Sequence, residues 1–469
     1  MEHLTKILRQ WLAPIQKDLP DLYLVGGAVR DHILSRISKD IDLVCHDAEN
    51  VARKLASAQN ATVVPFEKKA DEPCFRIAAR HDPGLFIDIT PIRGGSVFTD
   101  LERRDFTINA IAIQVKKGGV LGHIIDPLNG ADDIKHGVIR TTGPDVFTAD
   151  PLRILRAVRF SAKLGFTVKD TTTALMKANA SLLKDVAAER ILVELIEIFK
   201  TGQSAFFVGM MDNLGILEII FPEIMAMKGS SQNYYHHLDV WNHSLVVLEH
   251  CEYIVNHLNV FFGSACEKVS ENLESGNRLP LLKLGAMLHD VGKPVTRFKN
   301  KHTGRINFHG HDREGGEIVA AIVQRLRMSR QDQEFVHTLA TEHMNILRLF
   351  FNKADHDSKL LWFRKMTDNS IPAIIMGMAD IKGTSGPASD SETKERHIRW
   401  SADMVEAYYG TIKEHLEQND LISGKDLIAE GMLPGPEMGS ILRKVRKAQD
   451  LGRIVNREEA LVMAKKLRV

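Results

Sequence analysis

Two aspartates, Asp40 and Asp42, are separated by a single residue in the segment KDIDLV. On a β-strand, residues two apart point to the same face, so these carboxylates would lie side by side while Ile41 and Leu43 point into a core. Two neighbouring carboxylates repel each other unless a cation lies between them. Because Mg²⁺ prefers oxygen ligands and bridges phosphates, the pair predicts a site for metal-dependent phosphoryl transfer. The alternative is two solvent-facing acids at the end of a strand.

A glycine turn lies shortly before this acidic pair. In LVGGAVRD a short apolar run leads into Gly26 and Gly27, and then into a predicted helix that carries Arg30. Backbone N–H groups at such a turn can face phosphate oxygens, although two glycines more often form a turn without a ligand. Asp88, in the short segment FIDIT, is a candidate third carboxylate on a neighbouring strand.

Cations stand beside an acid in LERRDFTINAIAI, where Arg103 and Arg104 precede Asp105. The arginines could pair with a triphosphate while the carboxylate accepts a hydrogen bond from a sugar hydroxyl. The alternative is an ion pair within one helix, which contributes little stability.

A second charged group begins at Asp150-Pro151, which predicts a helix with Asp150 as its N-cap. Arg153 follows three residues later, so its side chain would be a neighbour of Asp150. One of the two side chains supplies acceptors and the other supplies donors. Arg156 and Arg159 continue the same broad face and could contact phosphates.

Histidines are concentrated in a later part of the chain, where twelve of the twenty lie between His236 and His356. Within this part, the segment LGAMLHDVGKP ends an apolar run with the adjacent pair His289 and Asp290. Imidazole and carboxylate together form a common set of ligands for a divalent metal, whereas each taken singly is more often an ordinary polar residue. The other candidate ligands are His243, His309, His311, His343 and Asp380.

The elements that must position these residues belong to a chain of 469 residues, long enough for three or four domains. The formal net charge of +1 excludes a basic surface over the whole protein, so nucleic-acid binding would need local patches. One such patch is residues 441–469, with nine Lys or Arg against three Asp or Glu; the alternative is a solvated helix face. The four cysteines form no C-x-x-C pair, which argues against a zinc knuckle and a disulfide scaffold. No signal peptide or membrane span is predicted, and we expect a cytoplasmic protein.

The order of periodic segments predicts an α+β fold in which a small sheet comes first and helices follow. Residues 1–20 predict a helix. Five short strands are predicted within a head of about 135 residues, at 22–25, 41–44, 61–64, 75–78 and 86–89. From Asp150 onward the pattern is helical, whereas residues 263–277 and 382–395 are polar and predict loops.

Four motifs occur in a fixed order: G-G-x-V-R-D, D-x-D, R-R-D-F-T-x-N-A and D-P-L-R-I-L-R-A-V-R-F. Over about residues 22–225 they resemble the class II tRNA nucleotidyltransferase and bacterial poly(A) polymerase family, whose members extend an RNA 3′ end without a nucleic-acid template. The resemblance implies Mg²⁺ at Asp40 and Asp42, with Asp88 as a weaker catalytic candidate, and it implies tRNA, CTP and ATP as partners. The residues that it implies for nucleotide binding are Gly26, Gly27, Arg30, Arg104, Asp105, Asn109, Asp150, Arg153, Arg156 and Arg159.

The resemblance also implies individual roles. Arg104 and Asp105 match the motif that contacts the triphosphate and the ribose 2′-hydroxyl, and Asp150 with Arg153 matches the pair that reads the incoming base. Ala149 departs from the family, which usually has an acid at this position.

The segment before the third motif is short. Only fourteen residues, 89–102, lie between the FIDIT aspartate and the R-R-D-F motif, where enzymes that build the whole CCA end generally carry a longer flexible loop. The short segment resembles the members that add only the two cytidines. Full CCA addition and poly(A) synthesis are the alternatives.

The histidine-rich part resembles the HD phosphohydrolase superfamily, because His243, His289, Asp290 and Asp380 match its H…HD…D pattern. His311 and His343 match the extra ligands of its two-metal members. This implies a second divalent metal and hydrolysis of phosphate esters such as RNA ends with 2′,3′-cyclic phosphates; the alternative is a metal site that only stabilises the fold.

The implied organisation is a nucleotidyltransferase head, a helical neck, an HD body and a tail that holds tRNA, with the oligomeric state left open. The basic helices near the C-terminus offer phosphate contacts of the kind that such a tail requires. The predicted domain ranges are 1–137, 138–225, 226–385 and 386–469.

Overall fold

The structure is a computed structural model, and the chain divides into two compact units. The first comprises Met1–Glu194 and Asn213–Ile220, and the second comprises Leu195–Asp212 and Phe221–Val469. The residues that the structure describes are 2–13, 15, 21–37, 40–67, 73–78 and 86–468.

In the described part of the first unit, seven strands form one mixed sheet with the order β3-β4-β5-β2-β1-β6-β7. Strands β2 and β5 pair in parallel, and the other neighbours pair antiparallel. The strands are β1 (Leu22–Val25), β2 (Asp40–Cys45), β3 (Thr62–Glu67), β4 (Pro73–Ala78), β5 (Phe86–Pro91), β6 (Ala112–Lys116) and β7 (Val120–Ile125).

The sheet forms because its strands carry apolar side chains on both faces. Ile41 and Leu43 are 1% exposed, so the prediction that they point into a core is confirmed. On the other face, Val25 and Val44 belong to a buried cluster that includes Leu101. The five predicted strands are present, while β6 and β7 were not predicted. The α+β fold class is therefore confirmed for the head.

Helices cover this sheet and continue after it. The helices with residues in the first unit are α1 (Glu2–Leu12), α2 (Gly27–Ile33), α3 (Ala48–Ala58), α4 (Val97–Glu102), α5 (Gly130–His136), α6 (Val146–Ala149), α7 (Arg153–Leu164), α8 (Asp170–Asn179), α9 (Ala188–Phe199) and α11 (Ile216–Ile220). A short parallel pair, β8 (Val138–Ile139) and β9 (Thr167–Val168), lies beside α7.

Two of the predicted helix boundaries need correction. The first helix ends at Leu12, before Pro14, which lacks the N–H that a helix interior needs; residues 14 and 16–20 of that prediction lie outside the described residues. Helix α7 begins at Arg153, and its N-cap position is Leu152. Asp150 instead follows α6 in an extended conformation, so its predicted role as the N-cap is wrong.

The second unit is helical in its described residues, apart from the two-residue strands β10 (Phe298–Lys299) and β11 (Ile306–Asn307). Its helices are α10 (Ser204–Asn213), α12 (Val240–Asn256), α13 (Leu258–Phe262), α14 (Cys266–Glu274), α15 (Arg278–Leu288), α16 (Lys293–Thr296), α17 (His311–Arg325), α18 (Arg330–Phe351), α19 (His356–Met366), α20 (Ser370–Gly383), α21 (Ser391–Ala407), α22 (Lys413–Glu417), α23 (Gly424–Ala429), α24 (Pro436–Asp450) and α25 (Arg457–Lys466).

The loop predicted at residues 263–277 is wrong, because α14 occupies most of it. This helix buries Val269 and Leu273 on one face and turns its charged residues to solvent, so its polarity concealed a short amphipathic pattern. The loop predicted from Lys382 is shorter than expected, since α21 begins at Ser391 with Asp390 as its N-cap. Across the described residues, no helix has the length and apolar character needed to span a membrane.

Candidate functional site

A polar cavity of about 550 Å³ opens in the first unit. Eight arginines and four aspartates line it, and they come from the β1–α2 turn, β2, α4 and the segments around α7 and α9. The charged lining residues are Arg30, Asp42, Arg93, Asp100, Arg103, Arg104, Asp105, Asp150, Arg153, Arg156, Arg159 and Arg190.

The glycine turn forms one wall of this cavity. Gly26 has a φ of 71°, in the left-handed region that favours glycine. A Cβ at this position would lie 3.2 Å from Arg104 Nη1 and 3.5 Å from Asp42 Oδ2. The turn therefore brings backbone, an arginine and a carboxylate together, as the sequence suggested. Gly27 is the first residue of α2 and also lines the cavity.

Asp42 lies in the middle of β2, with Val25 of β1 on one side and Asp88 of β5 on the other. It lines the cavity. Asp40 belongs to the same strand two positions earlier, but its side chain lies outside the described part of the structure. Carboxylate oxygens beside a cluster of arginines form a donor set that fits a hard divalent cation bridging phosphates.

A hydrogen-bonded network holds Asp105, a buried residue of the cavity wall. Arg156 donates from Nε and Nη2 to its Oδ2 at 2.9 and 2.6 Å. Its Oδ1 accepts from Asn109 at 3.1 Å and from the backbone N–H of Phe106 at 2.8 Å. Burial opposes ionisation of Asp105, but Arg156 outweighs it and lowers the pKa of this carboxyl to about 2. The carboxylate is therefore ionised and its roughly four acceptor positions are used within the chain.

Three arginines surround a single aromatic ring in this cavity. The guanidinium carbons of Arg30, Arg156 and Arg159 lie 5.3, 5.3 and 4.4 Å from the centroid of the Phe160 ring. Stacking on an aromatic face favours a fixed guanidinium orientation. Arg30 also donates to Asn109 Oδ1 at 2.8 Å, so the two predicted residues meet directly.

The pair predicted to read a base, Asp150 and Arg153, lines the cavity but is held by different partners. Arg190 donates from Nη2 to both carboxylate oxygens of Asp150, at 3.3 and 3.1 Å. Arg153 donates to the backbone carbonyls of Arg103 and Arg104, at 3.0 and 3.4 Å. Both side chains are thus oriented by partners that are distant in the sequence.

Sequence reasoning missed three residues that organise this cavity. Asp100 accepts two hydrogen bonds from Arg104 at 3.2 and 3.0 Å. Glu194 accepts from Arg159 at 2.6 Å, and Arg190 holds Asp150. Arg190 and Glu194 stand four apart on helix α9, which also carries Glu189 and Glu197. The charges at 190 and 194 share a face of this helix, which is a sequence signal for ionic partners on that face.

The histidine-rich part of the second unit brings the remaining predicted ligands together. Two groups of three are found among the described residues, and the ligand atoms in each lie within 4.8 Å of one another. All six residues are buried. The first group is His243, His289 and Asp380, and the second is Asp290, His311 and His343.

The orientation of these imidazoles fits cation binding. Nδ1 of His289, His311 and His343 lies 2.9, 2.8 and 2.7 Å from a backbone carbonyl, which fixes the proton on Nδ1. Each Nε2 is then a lone-pair donor, and Nε2 of His311 lies 3.2 Å from Nε2 of His343. Two facing lone pairs at this distance repel unless a cation lies between or beside them.

The charge states of His343 and Asp290 agree with this arrangement, whereas Asp290 raises the pKa of His289 despite its burial, so His289 would release a proton on binding metal. Burial, together with the nearby His289, lowers the pKa of His343 to about 3, so its imidazole is neutral. Burial opposes ionisation of Asp290, but His289 and Lys293 hold its pKa well below the usual value. Lys293 Nζ lies 2.5 Å from Asp290 Oδ2. Neutral imidazoles and ionised carboxylates are the protonation states that bind metal.

A cavity of about 750 Å³ gives access to this cluster. Asp290, His311 and Asp380 reach it, together with Lys293 and Arg348. His309 lines the same cavity but belongs to neither group of ligands, so its candidacy as a ligand is not supported by proximity.

The basic tail is only partly available to a ligand. Arg446 is bound to Asp450 and Asp420, and Arg457 is bound to Asp426. Four other cations of the tail line a groove of about 780 Å³ between α24 and α25, together with apolar side chains. They are Lys444, Lys447, Lys466 and Arg453, of which Arg453 is paired with Asp357.

Four family models match the chain. They are the Poly A polymerase head domain over residues 22–140, the probable RNA and SrmB-binding site of polymerase A over 165–228, the HD domain over 240–383, and the putative tRNA nucleotidyltransferase domain 2 over 319–464.

Similar proteins extend over nearly the whole chain. An A-adding tRNA nucleotidyltransferase from Deinococcus radiodurans is 30% identical over 455 residues, covering 95% of this chain and 95% of that protein. A CC-adding tRNA nucleotidyltransferase from Thermus thermophilus is 28% identical, covering 94% and 92%.

Solved structures share the fold. A CCA-adding enzyme in complex with ATP matches with a TM-score of 0.64 at 22% identity, covering 99% of this chain and 95% of that one. The Thermotoga maritima CCA-adding enzyme complexed with tRNA matches with a TM-score of 0.59, also at 22% identity, covering 99% and 94%. The resemblance predicted from the four motifs is thereby confirmed, and the chain belongs to the class II tRNA nucleotidyltransferase family.

Proposed function

We propose that this chain transfers nucleotides from CTP or ATP to the 3′ end of tRNA. The observation that carries the proposal is the first cavity, where Asp42, the glycine turn and eight arginines face one space. Such a site binds a triphosphate strongly by charge, and its relatives are named for addition to tRNA. With tRNA as its substrate, the protein would act in the cytoplasm.

The chain's own residues would bind and orient the reactants. Arg104, fixed by Asp100, would neutralise the phosphates of the leaving pyrophosphate together with the Gly26–Gly27 turn. Asp150 would accept from the amino group of cytosine or adenine, and Arg153 would donate to the neighbouring ring acceptor. No side-chain nucleophile is needed, because positioning and charge supply most of the catalysis in phosphoryl transfer.

A divalent metal, Mg²⁺ in this proposal, would be held by Asp40 and Asp42 and would supply charge neutralisation and activation of the RNA 3′-hydroxyl. Asp105 would act differently from the sequence prediction. Its acceptors are already used by Arg156, Asn109 and a backbone N–H, so a ribose hydroxyl would be accepted only if one of these donors gave way. We assign it the task of holding Arg156.

The direct experiment supplies purified protein with tRNA lacking its 3′ end, Mg²⁺ and one labelled nucleotide at a time. We expect incorporation by the native chain and by Asp132→Ala, an exposed acid on α5. Asp42→Ala should abolish incorporation while the variant keeps its folded circular dichroism spectrum. Near-normal rates for Asp42→Ala would contradict the proposal.

Within this activity we propose addition of the two cytidines. Strand β5 ends at Pro91 and α4 begins at Val97, so only residues 92–96 connect them. This connection is fixed, because Ser96 caps α4 and the N–H of Arg93 donates to Asp100. There is no room here for a long flexible loop. CTP alone should extend the tRNA by two residues, whereas ATP added to a CC end would indicate A or CCA addition, and long ATP tails would indicate poly(A) synthesis.

A second activity is supported by the two ligand groups of the second unit. We propose that they hold divalent metal and hydrolyse phosphate esters at RNA ends, such as 2′,3′-cyclic phosphates. Lys293 and Arg348 in the same cavity would bind the phosphate. His289→Ala with Asp290→Ala should lose both bound metal and turnover, while His302→Ala, at an exposed loop position, should keep both. Equal turnover by the native and doubly substituted proteins would remove this activity.

A further inference from the structure

Three charged residues form one lateral row across the middle of the head sheet. In the registers of the strands, Asp42 of β2 lies directly beside Asp88 of β5, and Asp88 lies directly opposite Arg76 of β4. Laterally paired residues project from the same face of a sheet, and neighbouring strands are roughly 5 Å apart. Two carboxylates are therefore adjacent, and the arginine stands on the outer side of the second one.

Arg76 binds Asp88 with both ends of its guanidinium. Nε donates to Oδ1 at 2.8 Å and Nη2 donates to Oδ2 at 2.9 Å, which is the bidentate geometry of a strong arginine–carboxylate pair. The guanidinium carbon also lies 5.3 Å from the Phe66 ring centroid and 5.1 Å from that of Phe86. The arginine is thus held by two rings and one carboxylate.

Asp88 also differs from Asp42 in its surroundings. Asp88 is 7% exposed. Among the described residues, Asp42 lines the polar cavity of the first unit and Asp88 does not. A metal ligand at this position would have to turn away from a bidentate partner. Breaking this pair is costly because the carboxylate is buried, although 40% of the Arg76 side chain is exposed.

We infer that Asp88 is not a ligand of the catalytic metal but the anchor of Arg76, and that Arg76 is a positioning residue that cancels the charge of the acid beside Asp42. This inference rests on the proposed role of Asp42 as a metal ligand. In this arrangement the charge of Asp88 is neutralised by Arg76, so Asp88 adds little to the negative potential at a metal bound by the acids of β2. The strength of metal binding is therefore set by a residue that contacts neither metal nor substrate.

The test compares Asp88→Asn, Arg76→Gln and the double variant. Removing the arginine takes one positive charge out of the row beside Asp42, so the Mg²⁺ concentration at half-maximal incorporation should fall. Removing the acid takes one negative charge out of the same row, so this concentration should rise. Each shift should be about threefold to tenfold for a charge roughly 5–10 Å away in a partly screened setting. In the double variant it should return to the native value, and all three variants should keep turnover at saturating Mg²⁺.

A second readout does not depend on turnover. Binding of labelled CTP is measured by equilibrium dialysis across a range of Mg²⁺ concentrations, without acceptor RNA, and its midpoint should shift in the same two directions. Arg53→Gln, which breaks an exposed pair on α3, is the matched control and should shift neither midpoint. If the amide at position 88 prevents folding, the apolar pair Asp88→Leu and Arg76→Met carries the same comparison.

Two results would overturn the inference. Loss of incorporation by every variant without a carboxylate at position 88, as complete as the loss in Asp42→Ala, would make Asp88 a ligand. Unchanged midpoints in both single variants would show that the pair has no influence on the metal. Failure of the proposed function would look different, because Asp42→Ala itself would then retain incorporation.

Discussion

Asp105 and Asp150 both lie at the nucleotide cavity with an arginine already in place. Such pairs contribute little at a fully exposed surface, but here both carboxylates are buried, and each arginine fixes the direction of the acceptor that it contacts. The partners come from other helices, so a side chain that contacts a ligand is oriented by one that does not. The site therefore includes residues such as Arg190, which orient the side chains that would contact a ligand.

Removing Arg190 should impair nucleotide selection more than folding. Arg190→Ala leaves Asp150 without the donor that orients it, and we expect kcat/KM for CTP to fall about tenfold to a hundredfold, as for a lost charged hydrogen bond. Discrimination of CTP against UTP should weaken as well. Single-nucleotide kinetics measure both quantities, with the exposed Arg53→Ala on α3 as the control. A variant with native selectivity would show that Asp150 needs no external orientation.

Asp105 should contribute to stability in a defined pH range. Its pKa is lowered from 3.8 to about 2, so its contribution is fully present above pH 4 and is lost as the pH falls toward 2. The shift corresponds to a free energy on the order of 2 kcal/mol. Urea unfolding of the native protein and Asp105→Asn should therefore differ by about this amount at pH 7, and the difference should shrink between pH 4 and pH 2. A difference independent of pH would contradict the assignment, and Asp132→Asn serves as the exposed control.

At the scale of elements, the sequence predicted those strands and turns whose signal lies within a few consecutive residues. The alternation around Asp42 identified β2, and the glycine pair identified the turn before α2, because both signals lie within a few residues. Strand β7 was missed because its sequence, VLGHII, does not alternate between apolar and polar residues and contains a glycine, so no strand period marks it. Likewise the sequence predicted Asp150 as a helix N-cap. In the structure its backbone is extended, and its carboxylate contacts Arg190, forty residues away. Partners at such separations are set by packing and cannot be found by spacing.

The β1–α2 turn should tolerate no side chain at Gly26. Gly26→Ala imposes a φ of 71° on alanine, which costs about 1–2 kcal/mol of unfolding free energy, and it brings a methyl group against Arg104. Gly118→Ala is the matched control, since its φ is 78° and no described atom lies within 4 Å of the added carbon. Denaturant unfolding should show a larger loss of stability for Gly26→Ala, because its ψ of −136° lies outside the left-handed helical region that Gly118 occupies with a ψ of 13°. Incorporation should be lost only in Gly26→Ala. Equal activities would indicate that crowding at the turn is harmless.

Considered as a whole molecule, the chain has its proposed metal sites in different compact units, so these sites should respond to metal independently. Mn²⁺ at a hundred times its dissociation constant for one site should raise the stability of the second unit by about 2.7 kcal/mol, seen as a higher melting temperature. His343→Ala should reduce this increase, because it removes one of three ligands from one of the two groups in that unit. Asp42→Ala should leave the increase intact. Loss of the effect in both variants would contradict the independence of the two sites.

The guanidinium groups of Arg30, Arg156 and Arg159 beside Phe160 would, in the proposed reaction, attract the phosphates of the product pyrophosphate as well as those of the incoming triphosphate. Slow release of pyrophosphate would then limit repeated addition, and pyrophosphate would compete with the next nucleotide. An enzyme that hydrolyses pyrophosphate in the same compartment would therefore accelerate turnover by removing this competitor, with no contact between the two proteins.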